Sequence, residues 1–190
     1  MKITRFIENK IIKSIRNSDK IIIIYGARQV GKTTLVKSII SQLKLKTLEI
    51  NADEEKYLDI LSSRDYEKMK SLIEGFELLF IDEAQRIPNI GINLKILYDH
   101  NSKIKIIATG SSSFDLADKI SEPLTGRCRL YNLYPLSFLE LKEKSNEFAL
   151  KRKTEECLIF GSYPEILTTV SLSEKERLLK DIERTYLYKD

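Results

Sequence analysis

Residues 20–34 read KIIIIYGARQVGKTT, and no other stretch limits the fold as tightly. The run at 20–25 is apolar on both faces, as in a strand buried inside a parallel sheet. Directly behind it, Gly26 to Thr33 satisfies G-x-x-x-x-G-K-[ST], and Lys32–Leu43 takes a helical pattern. Strand, loop and helix in that order aim the loop's amides and a helix N-terminus at one point, which favours an anion. Gly26 and Gly31 permit backbone angles and a close approach that a side chain would block. Lys32 is expected to reach the β- and γ-phosphates, and Thr33 to bind magnesium through its hydroxyl. Gly26, Ala27, Arg28, Gln29, Val30, Gly31, Lys32, Thr33 and Thr34 are therefore the candidate nucleotide-binding residues. An ordinary glycine-containing βα turn would not need all three elements in register.

The rest of the chain continues the alternation. Ile7, Ile11 and Ile15 predict an amphipathic helix over 3–17. Further strands are expected over 46–51, 76–82, 103–110 and 127–133, with helical stretches over 53–73, 92–99 and 115–120. SFLE at 137–140 matches a capping box, so Ser137 starts a helix and Glu140 reaches back to its amide. Strands stop there. Helices are expected over 153–160 and 174–188, separated by GSYPE, where Gly161 and Pro164 break the chain. Strands alternating with helices predict an α/β fold whose parallel sheet is wound on both faces. The division expected is a core over 1–136, carrying the N-terminal helix, and a helical, lid-like segment over 137–190.

Composition narrows the class of protein. A chain of 190 residues fits one α/β domain with a small helical appendage. Its 42% apolar and 32% charged residues argue against burial in a membrane, and no apolar run approaches the ~18 residues of a spanning helix. The start, MKITRFIENKIIKSI, has no uninterrupted apolar core and does not read as a signal peptide. Cys128 and Cys157 form no ligand spacing, and are expected to be reduced thiols in a cytoplasmic protein. The net charge of +4 permits nucleic-acid contact without indicating it. Lys2, Arg5, Lys10, Lys13 and Arg16 read as a solvated helix face.

A second motif, LLFIDEAQ at 78–85, ends a buried strand in two acids. That end of a parallel strand is the ligand side of such a sheet. Asp82 is expected to hold magnesium through water, and Glu83 to orient or deprotonate a water attacking the γ-phosphate. A kinase has little use for that second carboxylate, because its acceptor is not water. The fourth strand ends in ATGSSS, where a polar side chain can touch the γ-phosphate if the strand lies between the first and third. Thr109 and Ser111 are both candidates, and the residues alone do not choose. Arg127, just before the fifth strand, fits equally a reach toward a neighbouring subunit's nucleotide and a surface ion pair.

GARQVGKTTL, FIDEAQRIP, ATGSSSFDL, LTGRCRLYNLYPLSFLE and GSYPEIL follow one another in this order. Together they resemble a large family of archaeal and bacterial AAA-type ATPases of the AAA+ superfamily. These are described as predicted ATPases with an uncharacterised C-terminal domain. The resemblance runs from about Arg5 to the last residues, and it implies a three-layer P-loop NTPase sandwich with sheet order 5-1-4-3-2. It also implies ATP rather than a guanine nucleotide, and Arg127 as an arginine finger or γ-phosphate sensor, the finger supplied in trans by a homo-oligomer. The chain departs from the family in having Gly161-Ser162 where paired glycines are usual. Relatives continue beyond ERTYLYKD, and the last helix lacks a capping Gly or Asn, so an effector domain is expected to be missing here.

The function expected is magnesium-dependent ATP binding and hydrolysis as a switch or motor, slow in the isolated monomer. The alternatives are a nucleotide-binding assembly module with negligible turnover alone, and a small-molecule kinase. Glu83 and the lack of an arginine-rich lid speak against the kinase. DEAQ and ATGS occur in helicases, yet no second core domain is present to move against the first.

Overall fold

All five residues of strand β1 (Ile21–Tyr25) are buried in the computed structural model, which describes residues 3–100, 103–111, 122–142 and 146–187. Full burial of each isoleucine side chain contributes about 1.5–3 kcal/mol, so this run commits itself to an interior strand. Strands β4 (Lys105–Gly110) and β5 (Cys128–Asn132) pair with β1 in parallel on its two sides. Strand β3 (Leu78–Asp82) pairs with β4, and β2 (Thr47–Asn51) with β3, again in parallel. The order β2-β3-β4-β1-β5 is the expected 5-1-4-3-2 taken from the opposite edge.

Side chains alternate across a strand, which divides the core between two faces. Ile21, Ile23, Leu79, Ile81, Ile106 and Ala108 pack in one cluster with Leu61, Met69, Ile73, Leu94 and Leu97. Those helical partners come from α3 (Glu55–Leu61), α4 (Tyr66–Ile73) and α5 (Ile90–Asp99). Ile22, Ile24, Phe80 and Ile107 are buried outside that cluster, as are Ile11 and Ile15 of α1 (Phe6–Asn17) and Leu35, Val36 and Ile39 of α2 (Lys32–Leu43). Helices therefore cover both faces, giving the three-layer α/β sandwich. No helix among the described residues is long and apolar enough to cross a membrane.

The stretch at 53–73, expected to be mostly helical, is two helices. Arg64 turns the chain with φ 55°, and its amide donates to Oδ1 of the buried Asn93 at 2.7 Å. Asp65 then caps α4, accepting from the amides of Glu67 and Lys68 at 3.0 and 3.3 Å. The helix expected at 115–120 lies outside the described residues.

The chain forms two compact units, residues 7–28 with 32–133, and residues 1–6 with 29–31 and 134–190. The second carries α6 (Phe138–Lys142), α7 (Glu147–Phe160), α8 (Pro164–Thr168) and α9 (Leu172–Leu187). Ser137 and Glu140 form the expected box. Glu140 Oε2 accepts from the Ser137 amide at 2.9 Å, and the Glu140 amide donates to Ser137 Oγ at 3.3 Å. Helix α7 begins at Glu147, not at residue 153, because Asn146 caps it by accepting from the Ala149 amide at 2.8 Å. Helix α8 was not expected: Pro164 opens it at a position where a missing N–H costs nothing.

Arg5 does not belong to a solvated face. The helix starts after it, at Phe6, and Arg5 is 8% exposed with a hydrogen bond from each of its three guanidinium nitrogens. Lys10, Lys13 and Arg16 are exposed as expected, and Lys2 lies outside the described residues.

Candidate nucleotide-binding site

Parallel pairing delivers the C-terminal ends of the strands to one edge of the sheet. Asn51 stands opposite Asp82, Ile81 opposite Ala108, and Tyr25 opposite Gly110. The loop leaving β1, the acids closing β3 and Thr109 of β4 thus share that edge, with β4 between the other two strands. This meets the condition for a polar residue of β4 to stand beside both motifs.

The three motifs meet on one carboxylate. Thr33 Oγ1 donates to Asp82 Oδ2 at 2.7 Å, and Thr109 Oγ1 donates to Asp82 Oδ1. The Glu83 amide donates to Thr109 Oγ1 at 3.3 Å. Thr109 is fully buried, and it is the residue of β4 whose hydroxyl is bonded to Asp82. Ser111 lies one residue beyond the strand, half-buried.

Lys32 opens α2 and is 5% exposed. Its ammonium donates to the carbonyls of Gly26 and Ala27, each at 3.0 Å, and lies 3.9 Å from Glu83 Oε1. Burial pushes its pKa below the ordinary lysine value, and the Glu83 and Asp82 carboxylates only partly oppose that. A cation already stripped of water can pair with phosphate with little further desolvation. Within the loop, Gly26 and Val30 are buried, Ala27, Gly31 and Thr33 half-buried, and Arg28, Gln29 and Thr34 exposed.

Each of the two motifs holds one non-glycine residue in the left-handed region, as Lys44, Arg64 and Asn89 are elsewhere in the chain. Gln29 has φ 62° and Glu83 has φ 54°. The left-handed conformation costs a residue with a side chain about 1–2 kcal/mol, and such outliers cluster at functional sites. Gln85 Nε2 donates to Glu83 Oε2 at 2.5 Å, so both carboxylate oxygens of Glu83 face a donor. No motif pattern assigns Gln85 a role, although DEAQ displays it two residues after the acid.

Arg127 is elsewhere. Its carbonyl accepts from the Ile21 amide at 3.0 Å, at the start of β1, while the loop follows Tyr25 at the other end. Four residues of parallel strand span roughly 13 Å, so the register sets Arg127 apart from its own phosphate loop. Nε and Nη2 of Arg127 donate to Asp99 Oδ1 and Oδ2 at 2.6 and 3.0 Å.

The chemistry of the donors suits magnesium. Thr33 Oγ1 and the Asp82 carboxylate are hard oxygen ligands already side by side. No cluster of three or more His, Cys, Asp or Glu that could cage a metal occurs among the described residues. Magnesium characteristically uses one or two carboxylates, water and substrate phosphates, not an all-protein cage.

A family model described as an AAA domain matches residues 18–142. The chain belongs to the AAA-domain family. This AAA domain is 33% identical over 199 aligned positions to the uncharacterized protein MJ1544 of Methanocaldococcus jannaschii, the match covering 97% of this chain and 43% of that one. It is 34% identical to MJ1637 of the same organism over 80% of this chain and 34% of the relative. The chain thus spans less than half the length of these relatives. Among solved structures, the Walker-type ATPase PABY2304 of Pyrococcus abyssi superposes with a TM-score of 0.63 at 17% identity, covering 98% of this chain and 74% of that one. At that identity the likeness concerns the fold of the AAA domain.

Proposed function

We propose that this AAA domain binds ATP with magnesium and hydrolyses it, serving as a cytoplasmic switch or motor module. The observation that carries the reading is the convergence on Asp82 of Thr33 from the phosphate loop and Thr109 from β4. A solved neighbour of the same fold, a Walker-type ATPase, supports the reading. Lys32 and the loop amides bind the β- and γ-phosphates, and Thr33 with Asp82 holds magnesium. Magnesium, when bound, neutralises charge that develops on the phosphate oxygens. Glu83 orients or deprotonates the attacking water, and Thr109 is the residue that registers the γ-phosphate beside it.

Arg127 completes the site from a second copy of the chain in a homo-oligomer, since its place at the far end of β5 keeps it from its own loop. An isolated monomer is accordingly slow, and the nucleotide-binding assembly module is that same domain before its neighbour arrives.

The binding half of the reading is tested with Lys32→Ala. Losing a charge-assisted contact to phosphate costs about 1.5–3 kcal/mol, so MgATP affinity measured by calorimetry is expected to fall about 10–150-fold. Equal affinity in wild type and variant would remove Lys32 and its loop from the nucleotide site.

A further inference from the structure

Arg5 and Glu140 are 8% and 6% exposed and lie 135 residues apart in sequence. Arg5 Nε donates to Glu140 Oε1 at 3.0 Å, Nη1 to the Val30 carbonyl at 3.0 Å, and Nη2 to the Tyr134 carbonyl at 2.5 Å. Glu140 Oε1 also accepts from the Phe6 amide at 3.0 Å, and its Oε2 from Ser137. Burial would raise the Glu140 carboxyl, but the Ser137 and Phe6 amides and Arg5 outweigh it and hold the group below its ordinary value.

A guanidinium does not shed its charge, and a buried ion pair is seldom the most stable choice for its space. Stability alone therefore gives no reason for one branch of Arg5 to end on the phosphate loop. Geometry supplies one. In a planar trans peptide the carbonyl and the following N–H point in opposite directions. Holding the Val30 carbonyl therefore turns the Gly31 N–H toward the side of the loop away from Arg5. Gly31 has φ 92°, and a Cβ built on it would lie an ordinary 3.9 Å from Pro164 Cγ, so backbone conformation and not space calls for glycine here.

We propose that Arg5 is a positioning residue of the phosphate loop, gripping the Val30 carbonyl from behind so that the Gly31 amide is aimed at bound phosphate. The proposal rests on the nucleotide-binding reading above. A segment ahead of the first helix, with no motif of its own, thereby sets the geometry of a loop 25 residues further on.

The test compares wild type, Arg5→Lys and the double variant Arg5→Met/Glu140→Gln, each as the full chain. MgATP and MgADP are titrated by calorimetry, and thermal melts are recorded in parallel. Lysine keeps the pair with Glu140 but cannot fork to three acceptors, whereas the double variant strands neither charge. Arg5→Lys is expected to bind both nucleotides about tenfold more weakly, the scale of one charge-assisted hydrogen bond. The double variant is expected to melt close to wild type and still bind about tenfold more weakly, a split that a purely structural Arg5 would not produce. Wild-type affinity in either variant overturns the proposal, and if the double variant does not fold, Arg5→Lys decides. A wild-type chain that binds neither nucleotide overturns the nucleotide reading as well, which separates that failure from one confined to Arg5.

Discussion

Glu83→Gln is expected to bind MgATP as tightly as wild type and to hydrolyse it about 10²–10⁴-fold more slowly, the range for losing a positioned general base. Glutamine keeps the size of the side chain and its place at the strained end of β3, where φ is 54°. What disappears is the carboxylate, whose oxygens lie 2.5 Å from Gln85 Nε2 and 3.9 Å from Lys32 Nζ. Because Asp82, bonded by Thr33 and Thr109, is untouched, the magnesium and phosphate contacts have no reason to weaken. Binding by calorimetry and phosphate release by a coupled assay separate the two effects. Turnover retained in Glu83→Gln would strip Glu83 of its role, and a parallel loss of binding would make it a ligand and not a base.

Arg127→Ala is the second large effect. An arginine finger supplied in trans accelerates hydrolysis by about 10³–10⁵, or roughly 4–7 kcal/mol of transition-state stabilisation. The wild-type rate per chain is therefore expected to climb with protein concentration as neighbours associate, and the variant's rate to stay flat at the monomer level. Asp99 now holds the guanidinium through two bonds, so engagement across an interface requires that pair to open. The pair is on the surface, where ion pairs contribute little to folding, and melting of the variant should stay close to wild type. A rate per chain that ignores both concentration and Arg127→Ala would rule out the trans finger.

How much of this was legible depended on whether the physics was local. IIIIY and LLFID are buried on both faces, and such runs announce interior strands without help from partners. GARQVGKT carries its chemistry within eight residues, and the structure puts Lys32 on the Gly26 and Ala27 carbonyls and Thr33 on Asp82. The choice between Thr109 and Ser111 was not local. It depends on which hydroxyl meets Asp82 across the sheet, and that is Thr109 within β4, between β1 and β3. Arg127 reads in sequence as a residue ahead of a strand, and the register shows which end of the sheet that is.

The misses follow the same line. Pro164 reads in sequence as a break, since proline stops a helix as readily as it starts one, and the start depends on what precedes it. The turn at Arg64 is held by Asn93, 29 residues away, which no periodicity could show. Arg5 looked like one more cation on a basic helix, because its partner Glu140 already had a sufficient explanation as a capping residue. A side chain with one adequate local role hid a second, distant one.

Central to the account is that this chain turns over ATP with magnesium. The most direct measurement is phosphate release from ATP by the wild-type chain at high protein concentration, with magnesium and then with a chelator in excess. Slow but steady release that requires magnesium and disappears with the chelator is the expected result. Release at the buffer level at every protein concentration, or release indifferent to the chelator, would contradict it.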